Sequence, residues 1–480
     1  MNENVFLPDP ADKNAESYVV PEGVVAIGDG AFENWKKLRS IELPESVVFI
    51  GKKSFRDCKS LKTVNLPKNL KEIGEYVFDG AQSLKEIVVP EGVEIIGTCA
   101  FNWCKSMKSI VLPQGLKEIG QCAFSSCSSL KSIDIPKSVR KIGELAFFEC
   151  SKLKSIVIPE SVETIELHAF CYCRSLKSID VAENNPCYRS IDGVLFTKDG
   201  KTLVVYPEGL KNGVYVVPKE VEEIGRYAFE YNLSLNKIVL PEGLKKIEKY
   251  GFSSCLSLVE TVFPQSLKII GANAFKGCAS LSSIEIPEDV DEIGRFAFET
   301  CRSLKTIEVA ENNARYLSID GVLFTKDGKT LLKYPEGTSK ETYAVPEGIE
   351  TIAEREFANS VQLKTIVIPK SVKTIENEAF SDCSSLTRVV LFEGLNKIDS
   401  AAFENCLSLE EIVVPASVVE IGDAAFSGCS SLTKIFLPTS VNAIGYNAFK
   451  ACQKLTIRAP KGSYAAQYAK ENNIPFEPID

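Results

Sequence analysis

The sequence predicts an α/β solenoid. Its 23-residue units should stack in one direction, each giving a short strand to a parallel sheet and a short helical segment to the opposite side. Three observations predict it. First, proline recurs every 23 residues, at Pro21, Pro44, Pro67, Pro90, Pro113, Pro136 and Pro159; the series resumes at Pro218 and again at Pro346. Second, counting from that position, Ile falls six residues on and Phe eleven on in all 16 regular units, and Leu seventeen on in 15 of them, with Met107 as the exception. Third, the phase breaks twice, each time through a 36-residue unit. A fixed period of this length marks a stacked repeat architecture. The 480 residues are therefore not shared among about three globular domains, as roughly 150 residues per domain would suggest.

Each position of the unit has a physical reason. Ser-Ile-Asp-Ile-Pro at 132–136 alternates polar and apolar residues, the pattern of a strand with one face inward. Proline has no N–H to donate and ends the strand. Gly follows the recurring Ile in 11 of 16 units and marks a turn, although Glu166, Glu248, Ala353, Glu376 and Asp399 take its place elsewhere. In Ala-Phe-x-x-Cys-x-x-Leu the apolar residues, such as Phe124, Cys127 and Leu130, fall at helical spacing on one stripe. A single unit buries too little to fold alone, so stacking must cover its apolar faces. The stack then needs ends. Residues 1–18 are expected to form an N-terminal cap, 19–459 the solenoid and 460–480 a C-terminal cap. A short closing helix is predicted within 463–472, with Ser463 as its N-cap.

The unit C-x-S-L-K-x-I-x-[ILV]-P-x-x-[VL]-x-x-I-G-x-x-A-F resembles the BspA-like leucine-rich repeat family, often called the Treponema pallidum type, from about Tyr18 to the end. The resemblance implies a right-handed leucine-rich repeat superhelix with its parallel sheet on the concave face. It also implies a recognition or adhesion role at a cell surface or outside the cell, and it brings no catalytic residues. The opening residues Met1–Pro10 show neither a basic nor an apolar stretch of the secretory kind, so no signal peptide is expected in this chain, with a cytoplasmic location as the alternative.

The two breaks are near copies of each other. Ala182–Thr202 is repeated from Ala310 to Thr330, and in each an apolar run flanks Lys-Asp-Gly-Lys (198–201 in the first). Asp-Gly between strand-like runs signals a hairpin. The units 182–217 and 310–345 are therefore expected to replace the helical part of a coil with a β-hairpin, a structural way of closing the coil.

Composition narrows the function. A net charge of −9 argues against a nucleic-acid binder, and no stretch approaches the length of a membrane span. Twelve of the 16 Cys share one phase, from Cys58 to Cys452. On successive coils they point the same way, so buried free thiols are expected rather than disulfides. His168 is the only histidine. His168, Cys171 and Cys173 form H-x-x-C-x-C, but Cys173 belongs to the buried phase and no second pair completes four ligands, so no metal is expected. No motif for nucleotide, metal-hydrolase or serine-hydrolase chemistry occurs. No enzyme activity and no cofactor are expected.

Two surface columns are the candidate partner-binding sites. Two residues before the proline, Val367, Val390, Val413 and Phe436 should stack into an exposed apolar stripe, which often marks an interaction site and otherwise reflects strand propensity. Five before it, Lys62, Lys85, Lys108, Lys131, Lys154 and Lys177 follow Arg39 at one-coil steps. Stacked like charges repel unless something anionic compensates them; a solvated edge, partly neutralised by Glu, is the plainer reading. The expected partner is a protein or glycan met on the concave face, and a passive structural spacer or surface-layer element is the alternative.

Overall fold

The computed structural model describes residues 5–479, so the first four residues of the predicted N-terminal cap lie outside it. The chain forms two compact units. One comprises residues up to Leu235 together with Lys246–Cys255, the other Asn236–Lys245 and Leu256 onward.

Within each unit the architecture is a stack of parallel-strand coils. The strand before the proline pairs in register with its counterpart one period away, as Ser109–Val111 does with Glu86–Val88 and Glu411–Val413 with Lys434–Phe436. Ile133 and Ile135 are buried and Asp134 exposed, as their alternation requires, although this coil carries no strand pairing at Ser132–Pro136. The sequence did not display a second strand column. Two-residue strands end at the recurring Ile, as in Glu118–Ile119, which pairs with Ile95–Ile96 on one side and Lys141–Ile142 on the other.

The predicted helical segment is a column of turns instead. In every regular unit the residues nine and thirteen after the proline position have positive φ, for example Lys53 (60°) with Asp57 (56°) and Cys122 (54°) with Ser126 (58°). An α-helix cannot contain such residues at this spacing. The reason is where the donors go. Cys122, Phe124 and Ser126 donate their N–H groups to the carbonyls of Glu144, Ala146 and Phe148 in the next coil, 2.7–2.8 Å away. Ala123 and Ser125 close local turns onto Gly120 and Cys122. Alternating conformations thus send every second N–H sideways and satisfy the backbone between coils.

The Phe residues stack beneath this column. Phe32, Phe55, Phe78, Phe101, Phe124, Phe147 and Phe170 run with centroids 5.3–5.7 Å apart, nearly parallel. In the second unit Phe357, Phe380, Phe403, Phe426 and Phe449 also stack, with centroids 4.8–5.6 Å apart. Beside them each ladder thiol donates to the Phe carbonyl of the preceding coil, as Cys58 does to Phe32 at 3.1 Å and Cys429 to Phe403 at 3.1 Å.

The 36-residue units are three-stranded antiparallel ribbons. In the first, Tyr188–Ile191 pairs with Val194–Thr197, which pairs with Thr202–Val205 across Lys198–Lys201; the last strand then joins Glu223–Ile224 in parallel. The second repeats this with Tyr316–Ile319, Val322–Thr325 and Thr330–Lys333. Each substitutes side chains for missing backbone partners. Buried Asn185 donates to the carbonyls of Pro159 and Val162 at 2.7 and 3.0 Å, and its Oδ1 accepts from the Cys187 and Tyr188 amides. Ile165 donates its N–H to the Tyr188 hydroxyl.

The N-terminal segment adds strands at Val5–Phe6 and Ser17–Val19 to the first coils. At the other end a helix spans Tyr464–Glu471, with the Ser463 hydroxyl accepting from the Ala466 amide, and Phe476–Ile479 pairs with Thr456–Pro460.

Candidate functional site

The strand side carries both predicted columns. Lys62, Lys85, Lys108, Lys131, Lys154 and Lys177 are all exposed and sit just before the strands. Their backbones are bonded coil to coil: Lys108 donates to Lys85, and Lys177 to Lys154, at 2.7 and 2.8 Å. Strand spacing puts successive lysines about 4.8 Å apart. Arg39, at the head of the column, pairs with Glu16 at 3.2 Å, but among the described residues none of the six lysines has a carboxylate within ion-pair distance. A neighbouring column does the opposite: Lys117 pairs with Glu94, and Arg140 with Glu163, each from one coil to the next. The lysine column is left without such compensation.

Val367 pairs with Val390 and Val413 with Phe436, so the apolar residues are aligned. Val413 is 59% exposed, while Val367, Val390 and Phe436 are half-buried. The Arg458 guanidinium lies 4.9 Å from the Phe436 ring centroid and is held by Glu477 at 2.6 Å. A cation over the aromatic face covers part of what the stripe offers.

The turn side holds two clefts that the sequence did not announce. Each lies where a 36-residue unit lacks the turn segment, so the turns of the flanking coils face each other across the gap. In the first, a carboxylate takes the place of the absent backbone: Tyr172 donates its N–H to Glu208. In the second, Thr300 donates to Glu336 at 2.8 Å.

The second cleft, about 340 Å³, is lined by Arg295, Glu299, Lys333, Arg355, Glu356 and Glu376 among others. Buried Lys333 pairs with Glu336 at 2.9 Å. Burial works against its ammonium, yet Glu336 and Glu356 hold its pKa above the ordinary value. Burial pushes the Glu356 carboxyl well up, against the pull of Lys333. Glu299 is opposed by its own burial but held below its usual range by Lys276 and Arg355.

The first cleft is smaller, about 70 Å³, and its wall includes His168, Cys171, Glu208, Tyr227 and Glu230. His168 Nε2 lies 3.4 Å from the Glu230 carboxylate, and the Cys171 Sγ is 3.9 Å from the same oxygen. The His168 ring packs against Tyr227, centroids 3.8 Å apart. Burial pushes the Cys171 thiol well up, and Glu230 and Glu208 add to it. Sequence reasoning paired His168 with Cys171 and Cys173. The structure separates them: the Cys173 thiol donates to the Phe147 carbonyl at 3.1 Å inside the core. The partner it supplies instead is Glu230, which lies beyond the whole of unit 182–217 in the sequence.

Parallel coils of constant length with a recurring Leu, Ile and Phe define a leucine-rich repeat solenoid. The chain belongs to the family described as the BspA type leucine rich repeat region, whose model matches residues 11–102, 73–199, 213–325 and 346–470. Proteins of this class are typically protein-interaction scaffolds. Solved structures with similar folds include a leucine rich cell surface protein from Faecalibacterium prausnitzii, 23% identical over 95% of this chain and 90% of that one, with a TM-score of 0.43. The pneumococcal vaccine antigen PcpA is 19% identical over 99% and 92%, with a TM-score of 0.45. The T. pallidum leucine rich repeat protein is 34% identical over 30% and 67%, with a TM-score of 0.27. No match was found among curated proteins. No helix among the described residues is long and apolar enough to cross a membrane.

Proposed function

We propose that this chain is a non-enzymatic recognition scaffold whose strand side binds an anionic partner, a protein or a glycan, at a cell surface or outside the cell. The observation that carries this is the lysine column. Six like charges are held in register on a chain of net charge −9, while in a nearby column Lys117 and Arg140 each pair with a glutamate one coil away. Such a row costs stability through repulsion and gains it back only when an anion lies along it. Its regular spacing suits a linear polyanion. Val367, Val390, Val413 and Phe436 serve in this reading as an apolar contact in the other unit, with Val413 its most accessible member.

Titration of the purified chain with a sulfated glycan, a neutral glycan of the same length and an acidic peptide tests the reading. Binding to at least one anionic probe is expected. It should weaken steeply with salt and fall at least tenfold when Lys85, Lys108, Lys131 and Lys154 are all changed to Gln. Equal binding by the quadruple variant, or failure of every anionic probe, sinks it.

A further inference from the structure

We propose that His168, Cys171 and Glu230 form a zinc-binding site with one open coordination position at the mouth of the first cleft. The ligand atoms, His168 Nε2, Cys171 Sγ and a Glu230 carboxylate oxygen, all lie within 4.8 Å of one another. A tetrahedral zinc with bonds of about 2.0–2.3 Å sets its ligands about 3.3–3.8 Å apart. Two of the three separations, 3.4 and 3.9 Å, already fall at or next to that range, and a small rotamer change closes the third. Imidazole, thiolate and carboxylate are the donors that suit zinc among common divalent ions; calcium and magnesium prefer all-oxygen sets.

The fold positions these ligands rigidly. His168 and Cys171 stand nine and twelve residues after Pro159 on one turn, with His168 held at φ 57° and the Cys171 amide donating to the His168 carbonyl at 3.2 Å. Glu230 stands twelve residues after Pro218 on the turn that faces it. The two turns meet only because unit 182–217 has none of its own. Tyr227 fixes the imidazole plane from behind. The cleft, about 70 Å³, accommodates an ion and a few waters, not a large organic ligand. On binding, the Cys171 thiol gives its proton to solvent and the thiolate takes the metal. The second cleft supplies an internal comparison. Its equivalent positions are Phe296, Glu299 and Ala358, a set with one ligand in place of three.

The test is titration of the metal-free full chain with Zn²⁺ alone, and with Co²⁺ as a spectroscopic substitute. One equivalent per chain is expected, with a thiolate-to-cobalt charge-transfer band. Cys171→Ser should abolish that band. His168→Asn and Glu230→Gln should each weaken zinc binding at least tenfold, with urea midpoints of the metal-free variants near that of the parent. Zinc should also raise the urea midpoint of the unmutated chain, a readout that does not depend on any variant folding. A flat zinc titration would leave the His168–Glu230 approach as a plain polar contact and overturn the site. So would stoichiometric binding that survives the loss of all three ligands.

Discussion

The thiol of Cys127 donates a hydrogen bond to the carbonyl oxygen of Phe101, 3.2 Å away in the preceding coil. That oxygen also accepts from the Cys104 amide at 3.2 Å, so it does not become an orphan when the thiol is removed. Cys127→Ala should therefore cost only about 1–2 kcal/mol, a weak donor plus a small cavity. A urea melt that shows a loss above about 4 kcal/mol would mean the thiol carries more than packing.

The same burial makes the ladder unreactive. It pushes the Cys58 and Cys383 thiols up to about 12 and holds those of Cys127, Cys150 and Cys301 well above the usual thiol range. Only the thiolate reacts. At pH 8 an aromatic disulfide reagent should label the half-exposed Cys187 before any of these five, and the five only on unfolding. Mass mapping of the labelled peptides measures the order.

Asn185 links a ribbon to its coil through four hydrogen bonds. Asn185→Ala leaves two half-buried amides without their acceptor and should cost about 2–3 kcal/mol. Hydrogen exchange at the Cys187 and Tyr188 amides should accelerate most.

The turn column is strained at alanines. Ala424 has φ 53°, where a Cβ costs roughly 1–2 kcal/mol. Ala424→Gly should be neutral or stabilising by up to about 1 kcal/mol, even after the entropy of glycine is counted. The adjacent Ala425 is buried with ordinary φ, and Ala425→Gly should destabilise. Thermal melts should show Ala425→Gly losing stability and Ala424→Gly losing none, or the turn geometry is wrong.

Glu356 sets a pH dependence. Its folded pKa lies above the unfolded value because of burial, so the folded state holds the proton longer. Its contribution to stability is greatest in acid and is lost as pH rises through and beyond the ordinary carboxylate range. The Glu356→Gln variant should show a flatter decline over that interval in denaturant melts collected at several pH values.

The coil was legible because its signals repeat: Phe and Ile recur in every regular unit and Leu in all but one, and a fixed phase survives substitution at any one coil. The second strand column was not, since Glu118–Ile119 offers a single alternation. The turn column was mistaken for helix because Phe124, Cys127 and Leu130 share a face in either geometry. A usable signal stood beside them: thirteen residues after the proline the chain places Asn34, Asp57, Gly80, Asp382, Asn405 and Gly428, residues that tolerate left-handed backbone. The lysine column could be read directly from spacing. Glu230 could not be joined to His168 and Cys171, because their meeting depends on what unit 182–217 omits.

That omission also bears on how the first unit comes apart. Between ordinary neighbours three turn-side amides cross the joint, as from Cys122, Phe124 and Ser126; from the last coil before the ribbon, the Tyr172 amide reaches a glutamate side chain instead. Fraying that zips along from Val5 one coil at a time meets a seam there, where the cooperative linkage between neighbours is thinnest. The ribbon thus acts as a hyphen in the chain, dividing unfolding into blocks that calorimetry can resolve.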